Sequence, residues 1–164
     1  MSRLDSFIRR LEAQRACLDL ACAAIAGLPG PVLELGLGNG RTFDHLRERL
    51  PDREIFVFER EPRPHPACWP DADHLIIGDL AETLPRAGRW LPAPAALVHA
   101  DLGTGDAARN ARLAAWLAGE LPPLVAPGGM VVSDQELSAA PLAPLPPPPA
   151  IQPGRYFLYR RRRS

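Results

Sequence analysis

The stretch Pro31-Val-Leu-Glu-Leu-Gly-Leu-Gly-Asn-Gly40, followed by Arg41-Thr-Phe-Asp-His-Leu-Arg-Glu-Arg-Leu50, decides how the whole chain is read. A short apolar run enters a turn with glycine at every second place. The turn opens into a segment whose Phe43, Leu46 and Leu50 recur at helical spacing until Pro51 stops it. Strand, glycine turn and helix in direct succession form the first ligand-binding corner of an open parallel sheet. Glycines suit that corner because a side chain would keep a ligand off the backbone, and because the turn needs torsions that other residues adopt only at a cost.

Working outward, Glu54-Ile-Phe-Val-Phe-Glu59 and His74-Leu-Ile-Ile-Gly-Asp79 read as buried strands joined by a Pro-rich link where a full helix would normally cross over. Ala95 to Ala100 makes a fourth strand ending at Asp101, and a helix from about Asp106 places Leu113, Trp116, Leu117 and Leu121 on one face. A fifth strand, Met130-Val-Val-Ser133, follows the turn Ala126-Pro-Gly-Gly129. Upstream of the glycine turn, Leu4, Phe7, Ile8, Leu11, Leu18, Cys22 and Ile25 mark an amphipathic helix from Ser2 to about Ala26, with Arg9, Arg10, Glu12 and Arg15 left largely to solvent. The alternation implies a parallel sheet with right-handed connections, an α/β fold in three layers.

After Ser133 the alternation breaks. Proline clusters between Ser138 and Pro153, including Pro146 to Pro149, cannot sustain a helix or a central strand and read as a stiff link. The link delivers Arg155-Tyr-Phe-Leu-Tyr159 as a last strand, followed by four consecutive arginines. The expected organisation is one domain: an N-terminal helix (1–28), a ligand-binding core (29–137), a Pro-rich link (138–154) and a final strand with a basic tail (155–164).

The 164 residues suit one domain with a real core and leave little room for a second one. The formal charge is zero, so no global field points to nucleic acid or an anionic membrane. No stretch is long and apolar enough for a bilayer span, and the N-terminus lacks the uninterrupted apolar segment of a signal peptide, so a cytoplasmic protein is expected. Cys17, Cys22 and Cys68 form no CxxC pair and are expected as small buried hydrophobes; no metal site is expected. All 19 basic residues are arginine, which reads as a coding bias.

A dinucleotide fold would carry GxGxxG, whereas the spacing here is GxGxG, with Arg41 where the third glycine would close the helix on the strand. Glu34-Leu-Gly36-Leu-Gly38-Asn39-Gly40 instead resembles the first motif of class I S-adenosylmethionine-dependent methyltransferases, which has an acidic residue two places before the first glycine. A carboxylate there suits a cofactor carrying an ammonium group better than one presenting a pyrophosphate. Glu59 lies nineteen residues after Gly40 at the end of the second strand, where an acidic side chain can accept from both ribose hydroxyls. The resemblance places Asp79 near the adenine amino group with Leu80 beside it, and Ala126-Pro-Gly-Gly129 is similar to a turn of the same superfamily. It covers roughly Leu28 to Glu136 and is nearest to a group of very short bacterial methyltransferase-like proteins that also end in a Gly-Arg-Tyr strand.

The resemblance implies a Rossmann-like methyltransferase fold with a mostly parallel sheet. The proline link and single last strand suggest that this sheet is truncated at its C-terminal edge, either six-stranded or completed by another subunit. From that edge, and from aromatic surface expected at Tyr156 to Tyr159, a homo-oligomer is expected. The cofactor-binding residues implied are Glu34, Gly36, Gly38, Asn39, Gly40, Glu59, Arg60, Asp79, Leu80 and Asp101. For chemistry, Asp101 is the first candidate for orienting the acceptor or taking its proton, as against capping the loop before the next helix. His99, two places earlier on the same side of the strand, is the second, as against an ordinary core histidine. Asp134 and Gln135 are candidates for an acceptor pocket, and Trp69 for covering the adenine.

The expected function is methyl transfer from S-adenosylmethionine to a small molecule the sequence does not name. A non-catalytic cofactor-binding module and a dinucleotide-dependent oxidoreductase are the alternatives. Nucleic-acid binding through Arg160 to Arg163 is disfavoured, since the rest of the chain lacks aromatic-basic interleaving.

Overall fold

The computed structural model describes residues 2–163; the two end residues of the expected first and last segments, Met1 and Ser164, lie outside them. Among the described residues, seven strands make one sheet: β1 (Val32–Leu35), β2 (Ile55–Glu59), β3 (Leu75–Ile77), β4 (Ala95–Ala100), β5 (Val125–Ser133), β6 (Leu142–Leu145) and β7 (Phe157–Arg161). Their order is β3-β2-β1-β4-β5-β7-β6; the first five are parallel, and β7 runs antiparallel to both β5 and β6. β1 and β4 are buried along their whole length, which is why both read as unbroken apolar runs with a single polar residue each.

Helices α1 (Arg3–Ala24) and α2 (Arg41–Arg49) cover one face of the sheet. Cys17, Leu18, Ala21, Ile25, Phe43 and Leu46 pack there on Val32, Val57, Leu97, Met130 and Val132. The short helix α3 (Leu80–Thr83), the 3-10 segment Leu84–Arg89 and helix α4 (Ala107–Leu124) cover the other. Leu84, Ala87, Leu117 and Leu121 meet Leu33, Leu35, Phe58, Val98 and Val131 on that side. Ser2 starts α1 through a reciprocal capping box with Asp5, and Asp106 caps α4 by accepting from the Arg109 amide at 3.0 Å. The shortened crossover between β2 and β3 holds only two single 3-10 turns, Pro66–Cys68 and Ala72–His74. No helix among the described residues is long and apolar enough to cross a membrane.

The C-terminal edge differs from the sequence reading. The expected Pro-rich link contains a strand, β6, which pairs with β7 from Leu142↔Arg161 to Leu145↔Leu158. The sheet is therefore not truncated, and no second subunit is needed to complete it. Proline bars a residue from a central strand because it lacks an N–H, but β6 is the outermost strand and needs donors on one side only, so Pro144 is tolerated. Among the described residues, no helix lies between β5 and β6. The last strand also runs two residues further than expected, to Arg161, so half of the arginine run belongs to the sheet. Tyr156 and Tyr159, expected as aromatic surface, are buried. Ala126-Pro-Gly-Gly129, expected as a turn, lies inside β5 where its register against β4 slips between Ala95 and Leu97.

Candidate functional site

The strand order places the carboxyl ends of β3, β2, β1 and β4 side by side, and an open crevice of about 560 Å³ runs along them. Its floor is built from the residues that follow each strand: Gly78, Asp79 and Leu80 after β3, Glu59 and Arg60 at the end of β2, Gly36 to Asn39 after β1, and Asp101 to Gly103 after β4. Helix α1 adds Phe7, Arg10, Leu11 and Gln14 as one wall, and α4 adds Arg109, Leu113 and Trp116 as another. Such a crevice, at the point where the strand order reverses, is where sheets of this type take ligands.

Glu59 is the carboxylate at the centre of this floor. Its Oε2 accepts from the Leu37 amide at 2.8 Å and the Gly38 amide at 3.3 Å, and its Oε1 accepts from the Glu61 amide at 3.1 Å. Burial pushes its pKa up, but the amides of Glu61, Gly38, Leu37 and Arg60 outweigh that and hold the carboxyl below its ordinary range. Glu59 thus ties the β2 end to the glycine turn and stays ionised inside the crevice. Asp79 serves a local purpose as well, capping α3 by accepting from the Ala81 amide at 2.9 Å.

Three residues read as cofactor contacts, Gly40, Glu34 and Trp69, are not crevice walls. Gly40 lies behind the turn as the first residue of the α2 cap, in left-handed torsion, where an added Cβ would come within 2.5 Å of the Cys68 Cβ. Glu34 is fully buried, and its oxygens are engaged by the Thr42 hydroxyl and by His99 Nδ1 at 2.7 Å. The alternation along β1 explains this: Glu34 faces α1 and α2 with Val32, and its register partner on β4 is His99. Trp69 is half-exposed and lines no part of the crevice.

His99 and Asp101 do not touch, although both belong to one hydrogen-bonded chain. The Gln14 side-chain amide donates to Asp101 Oδ2 at 2.8 Å and to the Tyr156 hydroxyl at 2.7 Å, and that hydroxyl lies 3.2 Å from His99 Nε2. Asp101 Oδ1 also accepts from Arg10, as an ion pair. His99 is sealed from solvent; burial disfavours its charge, but the Glu34 carboxylate in contact with it prevails and raises its pKa. Asp134, placed by the sequence near an acceptor pocket, instead tethers the loop after β4. It accepts from the Leu102 and Gly103 amides at 3.3 and 2.8 Å and from Gln135 Nε2 at 3.0 Å. Burial, with the Asp101 charge adding to it, raises its pKa.

The sequence reading missed Arg10, Gln14 and Tyr156. Arg10 reads as a solvent-facing helix position and Gln14 as an ordinary polar one; only a partner 87 or more residues away gives them a role. The one visible signal was a glutamine amid otherwise apolar burial positions on α1.

The comparisons agree with this architecture. The family model described as S-adenosyl-L-methionine methyltransferase matches residues 1–161. A solved S-adenosyl-L-methionine methyl transferase from Silicibacter pomeroyi DSS-3 is 49% identical, with 98% of this chain and 99% of that chain covered at a TM-score of 0.92. The MycE methyltransferase of the mycinamycin biosynthetic pathway, solved with Mg and SAH, is 20% identical over 85% of this chain and 43% of its own, at a TM-score of 0.55. That likeness speaks for the fold alone. No curated protein matches the chain. With a matching model over nearly its whole length and a relative of the same size and fold, the chain belongs to the S-adenosyl-L-methionine methyltransferase family.

Proposed function

We propose that this methyltransferase acts on a small-molecule acceptor and that the crevice along β3, β2, β1 and β4 holds both the cofactor and that acceptor. The observation that carries the reading is Glu59: an ionised carboxylate at the end of β2, beside the glycine turn, on the floor of an open crevice. A ribose brings two hydroxyl donors to such a group. From that anchor, Asp79, Leu80 and Arg60 are the residues for the base, and Gly36 and Gly38 provide backbone free of side chains for the methionine-derived chain, with Asn39 beside them. Bound S-adenosylmethionine supplies a methyl group on a positively charged sulfur. The protein's part is to align an acceptor with that carbon and keep water away, which Phe7, Leu11, Leu102, Leu113 and Trp116 are suited to do.

Of the two residues read as candidates for chemistry, Asp101 lines the crevice and His99 does not. His99 is a positioning residue that acts through Tyr156 and Gln14. The crevice volume of about 560 Å³ falls in the range of about 300–1,000 Å³ usual for small-molecule sites, which suits a nucleoside cofactor.

Calorimetry tests the site. S-adenosylmethionine should bind, and Glu59→Ala should weaken it by about tenfold or more, equivalent to about 1.4 kcal/mol; unchanged affinity in the variant would remove Glu59 from the site. With labelled methyl groups and a cell extract, label should appear in the low-molecular-weight fraction; label confined to protein or RNA would overturn the small acceptor.

A further inference from the structure

We propose that the methyl acceptor is a carboxylate and the product its methyl ester, with Arg41 and Arg109 holding the acceptor's charge. The inference rests on the crevice site proposed above and deepens it by naming the chemical class of the acceptor.

The charges of the crevice are unbalanced. Four arginines, Arg10, Arg41, Arg60 and Arg109, line it against three carboxylates, Glu59, Asp79 and Asp101. Each carboxylate is engaged: Glu59 and Asp79 accept from backbone amides, and Asp101 is paired with Arg10. Among the described residues, the side chains of Arg41, Arg60 and Arg109 make no ion pair or hydrogen bond, so three guanidinium groups line the crevice without compensation. S-adenosylmethionine carries an ammonium and a sulfonium against one carboxylate, a net positive charge, and cannot neutralise them. An anionic acceptor can, and the guanidinium fork matches a carboxylate in two-point contact. Arg60 belongs to the base end of the site, which leaves Arg41, beside the glycine turn, and Arg109, on the α4 wall.

Proton chemistry points the same way. A neutral alcohol or thiol must lose a proton as it is methylated and calls for a base to take it. Among the described residues, no histidine, lysine, cysteine or tyrosine lines the crevice. His99 is sealed from solvent, and Asp101 is committed to Arg10 and Gln14. A carboxylic acid, with an ordinary pKa of about 4, is already ionised at neutral pH. Its oxygen supplies the electron pair for the new carbon–oxygen bond while the methyl–sulfur bond breaks and leaves its pair on sulfur. The products are the methyl ester and S-adenosylhomocysteine, and no proton moves. A negative oxygen and a positive sulfur both become neutral, a change that the apolar walls at Phe7, Leu11 and Trp116 favour by excluding water.

The test gives the unmodified chain methyl-labelled S-adenosylmethionine and the small-molecule fraction of a cell extract, then treats the labelled product with mild base. A methyl ester hydrolyses and releases its label as volatile methanol, whereas ethers, thioethers and methylamines keep theirs. Label released as methanol is expected; base-stable label would overturn the carboxylate and leave the Glu59 site standing. Arg41→Gln and Arg109→Gln should each slow labelling by about tenfold or more while changing S-adenosylhomocysteine affinity, read by calorimetry, by less than about threefold. Retained affinity also certifies that the variants are folded. Arg109→Lys, which keeps the charge, should recover part of the rate. Undiminished labelling in both glutamine variants, or equal losses of labelling and affinity, would overturn the role of the two arginines. Failure of the unmodified chain to bind S-adenosylhomocysteine would overturn the crevice site itself.

Discussion

Glu34 and His99 are register partners on the adjacent strands β1 and β4, both fully buried, with His99 Nδ1 2.7 Å from Glu34 Oε2. This pair and its neighbours form a continuous polar seam through the α1/α2 layer. It runs from Thr42 at the start of α2, through Glu34, His99, Tyr156 and Gln14, to Asp101 and Arg10 at the crevice. An acidic residue that reads from sequence as a ligand contact is thus a buried member of a network that reaches the crevice.

Removing one partner of a buried pair leaves the other without compensation. Glu34→Ala is expected to destabilise the fold by about 3–5 kcal/mol. Glu34→Gln keeps the shape and an acceptor and should cost less. Urea unfolding of the three proteins gives the comparison; a Glu34→Ala loss below about 1 kcal/mol, the level of a surface pair, would show that the pair is not what holds this layer together.

The same pair gives stability a pH dependence of definite sign. The folded state holds His99 above the ordinary imidazole value of 6.5, because Glu34 outweighs the effect of burial. A raised folded-state pKa contributes stability that is complete below the unfolded value and lost as pH rises through the folded one. From pH 6.5 upward the unmodified chain should therefore lose stability relative to Glu34→Gln, in which the charge that favours the imidazolium is gone. A constant difference between the two from pH 6 to pH 9 would mean that His99 is neutral throughout.

Gly38 and Gly40 separate binding from folding within one turn. Both have left-handed torsions, at φ 51° and 84°, where a side chain costs about 1–2 kcal/mol. At Gly40 a Cβ would also come within 2.5 Å of the Cys68 Cβ and 3.1 Å of the Pro64 Cβ, so Gly40→Ala should lower the unfolding midpoint well beyond the torsional cost. At Gly38 nothing stands within 4 Å and the residue lines the crevice. Gly38→Ala should therefore show the smaller loss of stability and the larger loss of cofactor affinity, read by thermal unfolding and calorimetry on the same samples. The reverse ranking would place Gly40, not Gly38, against the ligand.

The sequence alone determined the five parallel strands, the glycine corner and the place of Glu59, because each depends on a local pattern: an apolar run, a glycine spacing, an acid closing a strand. The proline run hid β6, because proline's missing donor excludes a central strand but not an edge one, and position in the sheet is not a local property. Only the tertiary structure decided what Glu34, Arg10, Gln14 and Tyr156 do. Burial of a charged side chain depends on which strand lies beside it, and the neighbours that define these four come from α1, α2, β4 and the segment leading into β7. Glycine spacing marks where a ligand can approach the backbone, whereas the partners of a carboxylate are set by long-range packing that no spacing records.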